Sequence, residues 1–281
     1  MSVNKKHWGH SLVVTAIDHF NIASPEGRHV CLVFEPMREP LWLFRRRLGA
    51  NKATTAGLPL LKIYIRGMLY GLDYLHSECH IIHTDLKLDN FLMTFEHPSV
   101  IQRFVRAQPT NPMPRKLVQD HAIYLCHNDF GDLQLENLKH MVPKIADFGL
   151  AQRGDGGQPL VHPIQPDHFH APEVILGTSW SYSADMWNFG VMLWDLLAGK
   201  ELFLGGQSEE KQYSAAHHLA EMIALIGPVP LALLQRERER RHWRWAPAIP
   251  NAQGILCNSA AGYFGGPFFS DNGKPSVSKS E

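Results

Sequence analysis

The stretch HTDLKLDN, at residues 83 to 90, decides how the rest of the chain is interpreted. Asp85 and Asn90 lie five residues apart in a short polar segment, so both side chains can face one cleft. Such a carboxylate can accept a hydroxyl proton, while the amide carbonyl can bind a hard cation. Lys87 can reach a transferring phosphoryl group as a point charge. Taken alone, the stretch also fits a turn with satisfied hydrogen bonds, so further motifs are needed.

A second motif, Asp-Phe-Gly, occurs twice, at residues 129 to 131 and 147 to 149. The second copy follows the segment Lys-Ile-Ala at residues 144 to 146, which is expected to form a short strand. A carboxylate at a strand end, freed by a following glycine, suits Mg²⁺ that bridges phosphates. The tripeptide by itself is weak evidence for a metal site, because it occurs twice in this chain.

Two downstream motifs distinguish the copies. Ala-Pro-Glu at residues 171 to 173 begins 24 residues after Asp147 but 42 after Asp129. The sequence DMWNFG, at residues 185 to 190, then opens a strongly apolar helical pattern. The order and spacing of the four motifs predict that Asp147, and not Asp129, is the metal ligand.

With these motifs the chain resembles the eukaryotic protein kinase superfamily over roughly residues 8 to 230. His83-Thr84-Asp85 stands where that family usually has His-Arg-Asp. The segment 35 to 37, Glu-Pro-Met, resembles the hinge whose backbone binds adenine, with Phe34 in the gatekeeper place. His-Thr-Asp and the 57 residues from Asn90 to Asp147 are most similar to kinases of serine/arginine-rich splicing factors.

The resemblance implies an α+β, protein-kinase-like fold with a mostly helical C-terminal lobe and a short β remnant of the N-terminal lobe. It implies ATP and Mg²⁺ as cofactors and a protein substrate with a Ser or Thr hydroxyl, Ser/Arg-rich proteins being the expected class. The implied roles are catalysis by Asp85 and Lys87, nucleotide binding by Glu35, Met37, Asn90 and Asp147, and metal binding by Asn90 and Asp147. Glu173 and Asp185 are implied to be structural, as a buried ion-pair anchor and as a brace for the catalytic-loop backbone.

The chain departs from the family before the hinge. The 34 residues that precede Glu35 contain no Gly-rich loop, no strand lysine and no helix glutamate to pair with it. We therefore expect a truncated copy or fragment of a Ser/Thr kinase with impaired activity; the alternative is a non-catalytic, kinase-like interaction module. A small-molecule phosphotransferase is disfavoured by the motifs at 171 to 173 and 185 to 190. Pro166 also replaces a usual threonine, which bears on acceptor geometry.

Periodicity and turn residues predict the organisation of the chain. Strands are expected at residues 11 to 17 and 29 to 34, and helices at about 58 to 77, 183 to 199 and 214 to 226, with Ser183 as an N-cap and Gly199 as a stop. We expect an N-lobe remnant and hinge at 1 to 37 and a C-lobe at 38 to 250. An insertion at about 95 to 141 is expected to lack regular structure, and a tail at 251 to 281 is expected to be flexible.

Composition excludes several classes of protein. Lys plus Arg and Asp plus Glu are both 27, so no net charge favours nucleic acid, and no direct nucleic-acid binding is expected. The four cysteines form no Cys-x-x-Cys pair, which argues against a disulfide framework or zinc site. There is no signal-peptide or membrane-spanning pattern, so we expect no membrane partner and a cytoplasmic or nuclear location.

The segment between Gly149 and Ala171 lacks a phosphorylation switch. Residues 150 to 170, LAQRGDGGQPLVHPIQPDHFH, contain no Ser, Thr or Tyr. Kinases that are switched by a phosphate in this segment pair it with arginine, including the Arg of His-Arg-Asp, and here that position is Thr84. We expect the segment to be held by its own packing, since three prolines limit its unfolded freedom; the alternative, which Gly154, Gly156 and Gly157 favour, is a disordered loop.

Overall fold

Helices carry most of the regular structure in the computed structural model, which describes residues 4–25, 27–48, 57–119, 121–125, 130–133, 135–206, 212–270 and 273. The α-helices of this part of the chain are α1 Leu41–Arg47, α2 Leu58–Asp73, α3 Ser99–Ala107, α4 Pro172–Ile175, α5 Tyr182–Ala198, α6 Ala215–Ile226, α7 Leu231–Arg240 and α8 Ala260–Phe264. The predicted helices near 58, 183 and 214 are therefore confirmed, as is the α+β class.

The strands are short and pair two by two. They are β1 Ala16–Ser24, β2 Gly27–Phe34, β3 Ile81–Ile82, β4 Phe91–Met93, β5 Arg115–Val118, β6 His121–Tyr124, β7 Pro143–Ile145, β8 Gln152–Arg153, β9 Ile249–Pro250 and β10 Leu256–Cys257. The antiparallel pairs are β1–β2, β3–β8, β4–β7, β5–β6 and β9–β10. The chain divides into two units, the first Met1–Tyr74 with Leu88–Asp147 and the second Leu75–Lys87 with Phe148–Glu281.

The first unit is built around helix α2. Its apolar residues recur at spacings of four and three, which turns Met68 and Leu72 inward to 0% and 1% exposure. Burying each of these side chains contributes about 1.5–3 kcal/mol. A 3₁₀-helix, Trp8–Leu12, packs on α2 so closely that a Cβ on Gly9 would lie 1.9 Å from the Tyr70 carbonyl oxygen. Only glycine fits there.

The predicted strand at residues 11 to 17 is wrong in its bounds. That stretch contains the end of the 3₁₀-helix, and β1 begins only at Ala16 and runs to Ser24. Val14 instead donates its backbone N–H to the Ile145 carbonyl over 2.8 Å, which ties this segment to β7. Ser24 and Gly27, the ends of the predicted turn, pair as the last residue of β1 and the first of β2, and Glu26 between them lies outside the described residues.

The insertion differs from the expected irregular loop. It contains helix α3, the β5–β6 hairpin and a 3₁₀-helix, Leu135–His140. Its ends are joined at the base, where Thr94 and Val142 exchange backbone and side-chain hydrogen bonds of 2.9–3.0 Å. The prolines of the insertion suggested an irregular loop, but they flank its regular elements and do not interrupt them. Pro98 precedes α3, and Pro114 precedes β5.

The second unit is centred on helix α5. The N-cap of α5 is Ser181, and not Ser183 as predicted, while Gly199 ends the helix with φ +72° as expected. Ser183 donates its hydroxyl to Glu173 over 3.1 Å. Among the described residues Glu173 makes no ion pair, so its predicted role as an ion-pair anchor is wrong there.

The segment after residue 250 is packed as far as Phe269. Strand β10, helix α8 and the buried side chains of Cys257 and Phe269 lie within it, and Phe269 joins the apolar cluster of α6 and α7. Residues 251 to 270 therefore contain packed elements, because aromatic residues among the glycines and serines supply apolar surface to bury, while the flexibility of the tail stays a prediction.

A buried His-Tyr-His chain links His170, Tyr213 and His218. The Tyr213 hydroxyl lies 3.0 Å from Nδ1 of each ring, within hydrogen-bond distance of both. Burial lowers the pKa of His170 to about 3 and that of His218 to about 4. Burial also raises the pKa of Tyr213, which keeps its proton.

The buried histidines predict a loss of stability in mild acid. Both are neutral in the folded protein, whereas an unfolded histidine titrates near 6.5, so the unfolded chain binds more protons below that pH. Their stabilising contribution is complete above about pH 6.5. It falls as the pH drops toward 4, by at most about 2.7 kcal/mol per pH unit for the two together. Urea unfolding between pH 7 and 5 measures this slope.

A matched pair of variants isolates the effect. His218→Gln should reduce the slope, and the same change at the exposed neighbour His217 is the control. An equal slope in wild type and His218→Gln would contradict the assignment.

Candidate active site

The backbone at residues 83 and 84 is braced by one fully buried carboxylate. Asp185, in the first turn of α5, accepts hydrogen bonds of 2.8 Å from the backbone N–H groups of His83 and Thr84. Its Oδ2 also lies 2.8 Å from His76 Nε2. Three partners satisfy a carboxylate that is 0% exposed, and the expected brace is confirmed in the second unit.

Asp85 and Lys87, which follow the braced backbone of residues 83 and 84, form an ion pair. Lys87 Nζ donates to both Asp85 carboxylate oxygens, at 2.8 and 3.1 Å. The Asp85 N–H lies 3.3 Å from His83 Nδ1, and Thr84 is held at φ +69°, a left-handed backbone uncommon for a threonine. An aspartate 7% exposed and paired with one lysine is fixed in place yet reachable.

The two predicted metal ligands lie in the first unit, beside the ends of two paired strands. Asn90 directly precedes β4, Asp147 closely follows β7, and β4 pairs with β7. The Ala146 N–H donates to the Asn90 carbonyl over 2.9 Å, which extends the pairing to the residue before Asp147. Asp147 itself has φ +63°, so the backbone turns sharply at the strand end.

The donor set of Asn90 and Asp147 fits Mg²⁺. One carboxylate and one amide carbonyl are the hard oxygen ligands that this ion prefers, with water and phosphate oxygens supplying the rest. The competing residue Asp129 lies outside the described residues.

The predicted nucleotide-binding residues Glu35 and Met37 line one cavity of about 210 Å³ in the first unit. The other lining residues come from the segment 10 to 15 and from β7: His10, Ser11, Val13, Val14, Thr15 and Lys144. Lys144 Nζ lies 3.6 Å from Glu35 Oε2. Lys144 pairs with Leu92 across the β4–β7 sheet, so both side chains lie on one face.

The sequence interpretation missed Val14 and Lys144 as cavity residues. Strand alternation offered a signal for Lys144, since Ile145 is buried and its neighbour must face the other way. No such signal existed for Val14, which reaches the cavity because it bonds to a residue 131 positions later.

The boundary between the units passes through the predicted site residues. Asp85 and Lys87 belong to the second unit, whereas Glu35, Met37, Asn90 and Asp147 belong to the first. In the second unit Asp85 and Lys87 form an ion pair; in the first, Glu35 and Met37 line one cavity, while Asn90 and Asp147 flank the paired strands β4 and β7. No helix in the described part of the chain is long and apolar enough to cross a membrane.

Comparison with known proteins agrees with these motifs. The protein kinase domain family matches residues 2–105 and 120–258. A serine/threonine protein kinase of Aspergillus fumigatus is 38% identical over 273 residues, which cover 92% of this chain and 62% of that protein. The serine/threonine-protein kinase SRPK of Physarum polycephalum is 31% identical over 240 residues, covering 80% of this chain and 54% of that protein.

A solved structure supports the fold. The crystal structure of a kinase domain aligns with a TM-score of 0.55 and 25% identity, covering 84% of this chain and 60% of that one. The chain spans about 62% of the length of the Aspergillus relative. The resemblance to fungal and SRPK-like Ser/Thr kinases is thus confirmed, and the chain belongs to the protein kinase family.

Proposed function

We propose that the chain carries the phosphoryl-transfer residues of a Ser/Thr protein kinase, which moves the γ-phosphoryl group of ATP to a protein hydroxyl. The observation that carries the proposal is the Asp85–Lys87 ion pair on a backbone that buried Asp185 braces. An interaction module has no physical need for a lysine and an aspartate held in this way.

In the proposed reaction Asp85 orients the acceptor hydroxyl and takes its proton. The hydroxyl oxygen forms a bond to the γ-phosphorus while the bond from phosphorus to the β-γ bridging oxygen breaks, so ADP leaves. Lys87, already 2.8 Å from Asp85, offsets charge on the transferring group. Asn90 and Asp147 would hold Mg²⁺, which neutralises charge on the phosphates when bound. The cavity at Glu35 and Met37 would take the adenine.

The proposed substrate is a Ser or Thr hydroxyl in a Ser/Arg-rich protein. Two observations support it: the position of Lys87 and the similarity to SRPK-like kinases. A cytoplasmic or nuclear location belongs to the same proposal. So do the assignments of residues 1 to 37 as small-lobe remnant and hinge, and of residues 38 to 250 as large lobe.

A polypeptide of residues 1 to 281 alone should turn ATP over very slowly. No Gly-rich loop or strand lysine occurs in residues 1 to 34 to cover the phosphates, and losing such a clamp forfeits several kcal/mol of transition-state stabilisation. Steady-state ATP turnover against an Asp85→Asn control tests this expectation. Turnover in the ordinary range of about 1–10³ s⁻¹, abolished by Asp85→Asn, would contradict it.

The second candidate is a non-catalytic interaction module, favoured by the same missing clamp. The two candidates differ in Mg²⁺-dependent nucleotide binding, which the first requires and the second does not. Titration of ADP with and without Mg²⁺ separates them.

The loop between Gly149 and Ala171 is held without a phosphate. Thr84, at the position of the usual arginine, donates its Oγ1 hydroxyl to the Leu150 carbonyl over 3.0 Å. Trp180 donates its backbone and ring N–H groups to the carbonyls of Leu160 and His162. The Gln165 amide bonds both Ala171 and Ala184, at 2.7 and 3.0 Å. These contacts support a loop fixed by neutral hydrogen bonds.

We therefore expect that phosphatase treatment of an active form leaves its activity unchanged. The reason is that residues 150 to 170 offer no hydroxyl to phosphorylate and Thr84 offers no charge to pair with a phosphate. Activity before and after treatment, with mass spectrometry of this segment, is the measurement. A large loss that an upstream kinase restores by acting inside the segment would show the expectation wrong.

A further inference from the structure

Two arginines and two glutamates form a cluster of charged side chains in the first unit. Two of the four, Arg38 and Glu39, directly follow Met37 in the sequence. The side chains of Arg38, Glu39 and Glu96 are 0% exposed, and that of Arg47 is 32% exposed. Arg38 Nε lies 3.2 Å from Glu39, and Arg47 Nε lies 2.6 Å from the other Glu39 oxygen. Two cations thus face two anions. Buried charges of this kind are costly to desolvate, so their use points to a need for fixed geometry.

Arg38 joins this cluster to two distant points of the insertion. Its Nη1 donates to both carboxylate oxygens of Glu96, at 2.9 and 3.0 Å. Its Nη2 donates to the Gly131 carbonyl over 3.2 Å, and its guanidinium lies 6.0 Å from the centre of the Phe130 ring. Only the planar, multi-donor head of arginine can make these contacts together. One side chain therefore holds residues 96 and 131 against residue 38.

The backbone of Arg38 is fixed as well. Its N–H donates to the Met93 carbonyl over 2.8 Å, and the Met93 N–H donates to the Glu39 carbonyl over 3.1 Å. Met93 ends β4, and the insertion begins shortly after it, at about residue 95. The residue that follows Met37 is thus bonded through its backbone to the strand and through its side chain to the insertion.

We propose that Arg38 is a positioning residue through which the insertion fixes the backbone at Met37. Nucleotide affinity then depends on the insertion, although none of the residues that line the cavity lies between Thr94 and Val142. The link to affinity rests on the proposed function, in which the Met37 backbone meets adenine. The mechanical link between Glu96 and the segment 35 to 40 does not.

Hydrogen exchange read by mass spectrometry tests the mechanical link in the 281-residue chain. Glu96→Gln keeps the shape of the side chain but removes the negative charge that forms the ion pair with Arg38. Glu136→Gln makes the same change on an exposed carboxylate of the same insertion and is the matched control. We expect Glu96→Gln to raise amide exchange at residues 35 to 40 about tenfold and to weaken ADP binding by a similar factor. The control should change neither.

The outcomes separate this inference from the proposed function. Exchange at residues 35 to 40 that stays at the control level, while the insertion itself loosens, overturns the inference. A wild-type chain that binds no ADP counts against the proposed function, and the exchange result still decides the mechanical link. If Glu96→Gln does not fold, Arg38→Lys serves instead, because it keeps the charge and loses the forked contacts. That variant should raise exchange at the same residues, and no rise there would also overturn the inference.

Discussion

Replacing Asp147 by Asn should weaken Mg²⁺-dependent nucleotide binding by about a hundredfold or more, because the variant loses the only charged member of the proposed metal pair. Asparagine tolerates the left-handed backbone that the structure shows at this position, with φ +63°, so the fold should persist. Calorimetric titration of ADP in the presence and absence of Mg²⁺ measures the effect.

The other Asp-Phe-Gly motif supplies the control. Asp129→Asn makes the same chemical change in the same tripeptide, and it should be mild in comparison. A severe loss in Asp129→Asn with normal binding in Asp147→Asn would overturn the placement of the insertion between Asn90 and Asp147.

Replacing Asp185 by Ala should destabilise the second unit by about 3–5 kcal/mol. The change leaves the buried N–H groups of His83 and Thr84 without their carboxylate, and His76 loses its partner. Because these bonds fix the backbone before Asp85, an active form should also lose most of its phosphoryl transfer. Urea unfolding and activity are measured together.

A paired aspartate on the protein surface is the comparison for Asp185. Asp155 makes its ion pair with Arg153 in the same unit but in an exposed setting, so Asp155→Ala should have little effect on stability. Equal unfolding midpoints for the two variants would contradict the bracing role.

The sequence was informative where function or helical packing dictates local residue types. The loop at 83 to 90 and the two motifs downstream identified the family without any tertiary information. Helices α2, α5 and α6 were predicted because their apolar faces recur at helical spacing over three or more turns. The Asp185 brace could be anticipated only through the family resemblance, since its partners are about 100 residues away.

Features that depend on distant pairing were missed. Nothing in the local sequence predicts that Arg38 is buried. Its partners Glu96 and Gly131 lie 58 and 93 positions later in the chain. The His170–Tyr213–His218 chain and the packed segment up to Phe269 likewise depend on contacts between separate elements. The helix and the hairpin of the insertion were not predicted, because each is short and neither has a long run of regularly spaced apolar residues.

Phosphoryl transfer itself is the most direct test of the proposed function. Residues 1 to 281 would be joined to the Gly-rich loop and strand lysine of an active protein kinase. Transfer of labelled γ-phosphate to a Ser/Arg-rich peptide is then compared between wild type and Asp85→Asn. We expect Mg²⁺-dependent serine phosphorylation that falls by about a thousandfold or more in Asp85→Asn, with ADP binding retained. Equal transfer by the two proteins, or no transfer by a wild type that binds ADP and Mg²⁺ normally, would contradict it.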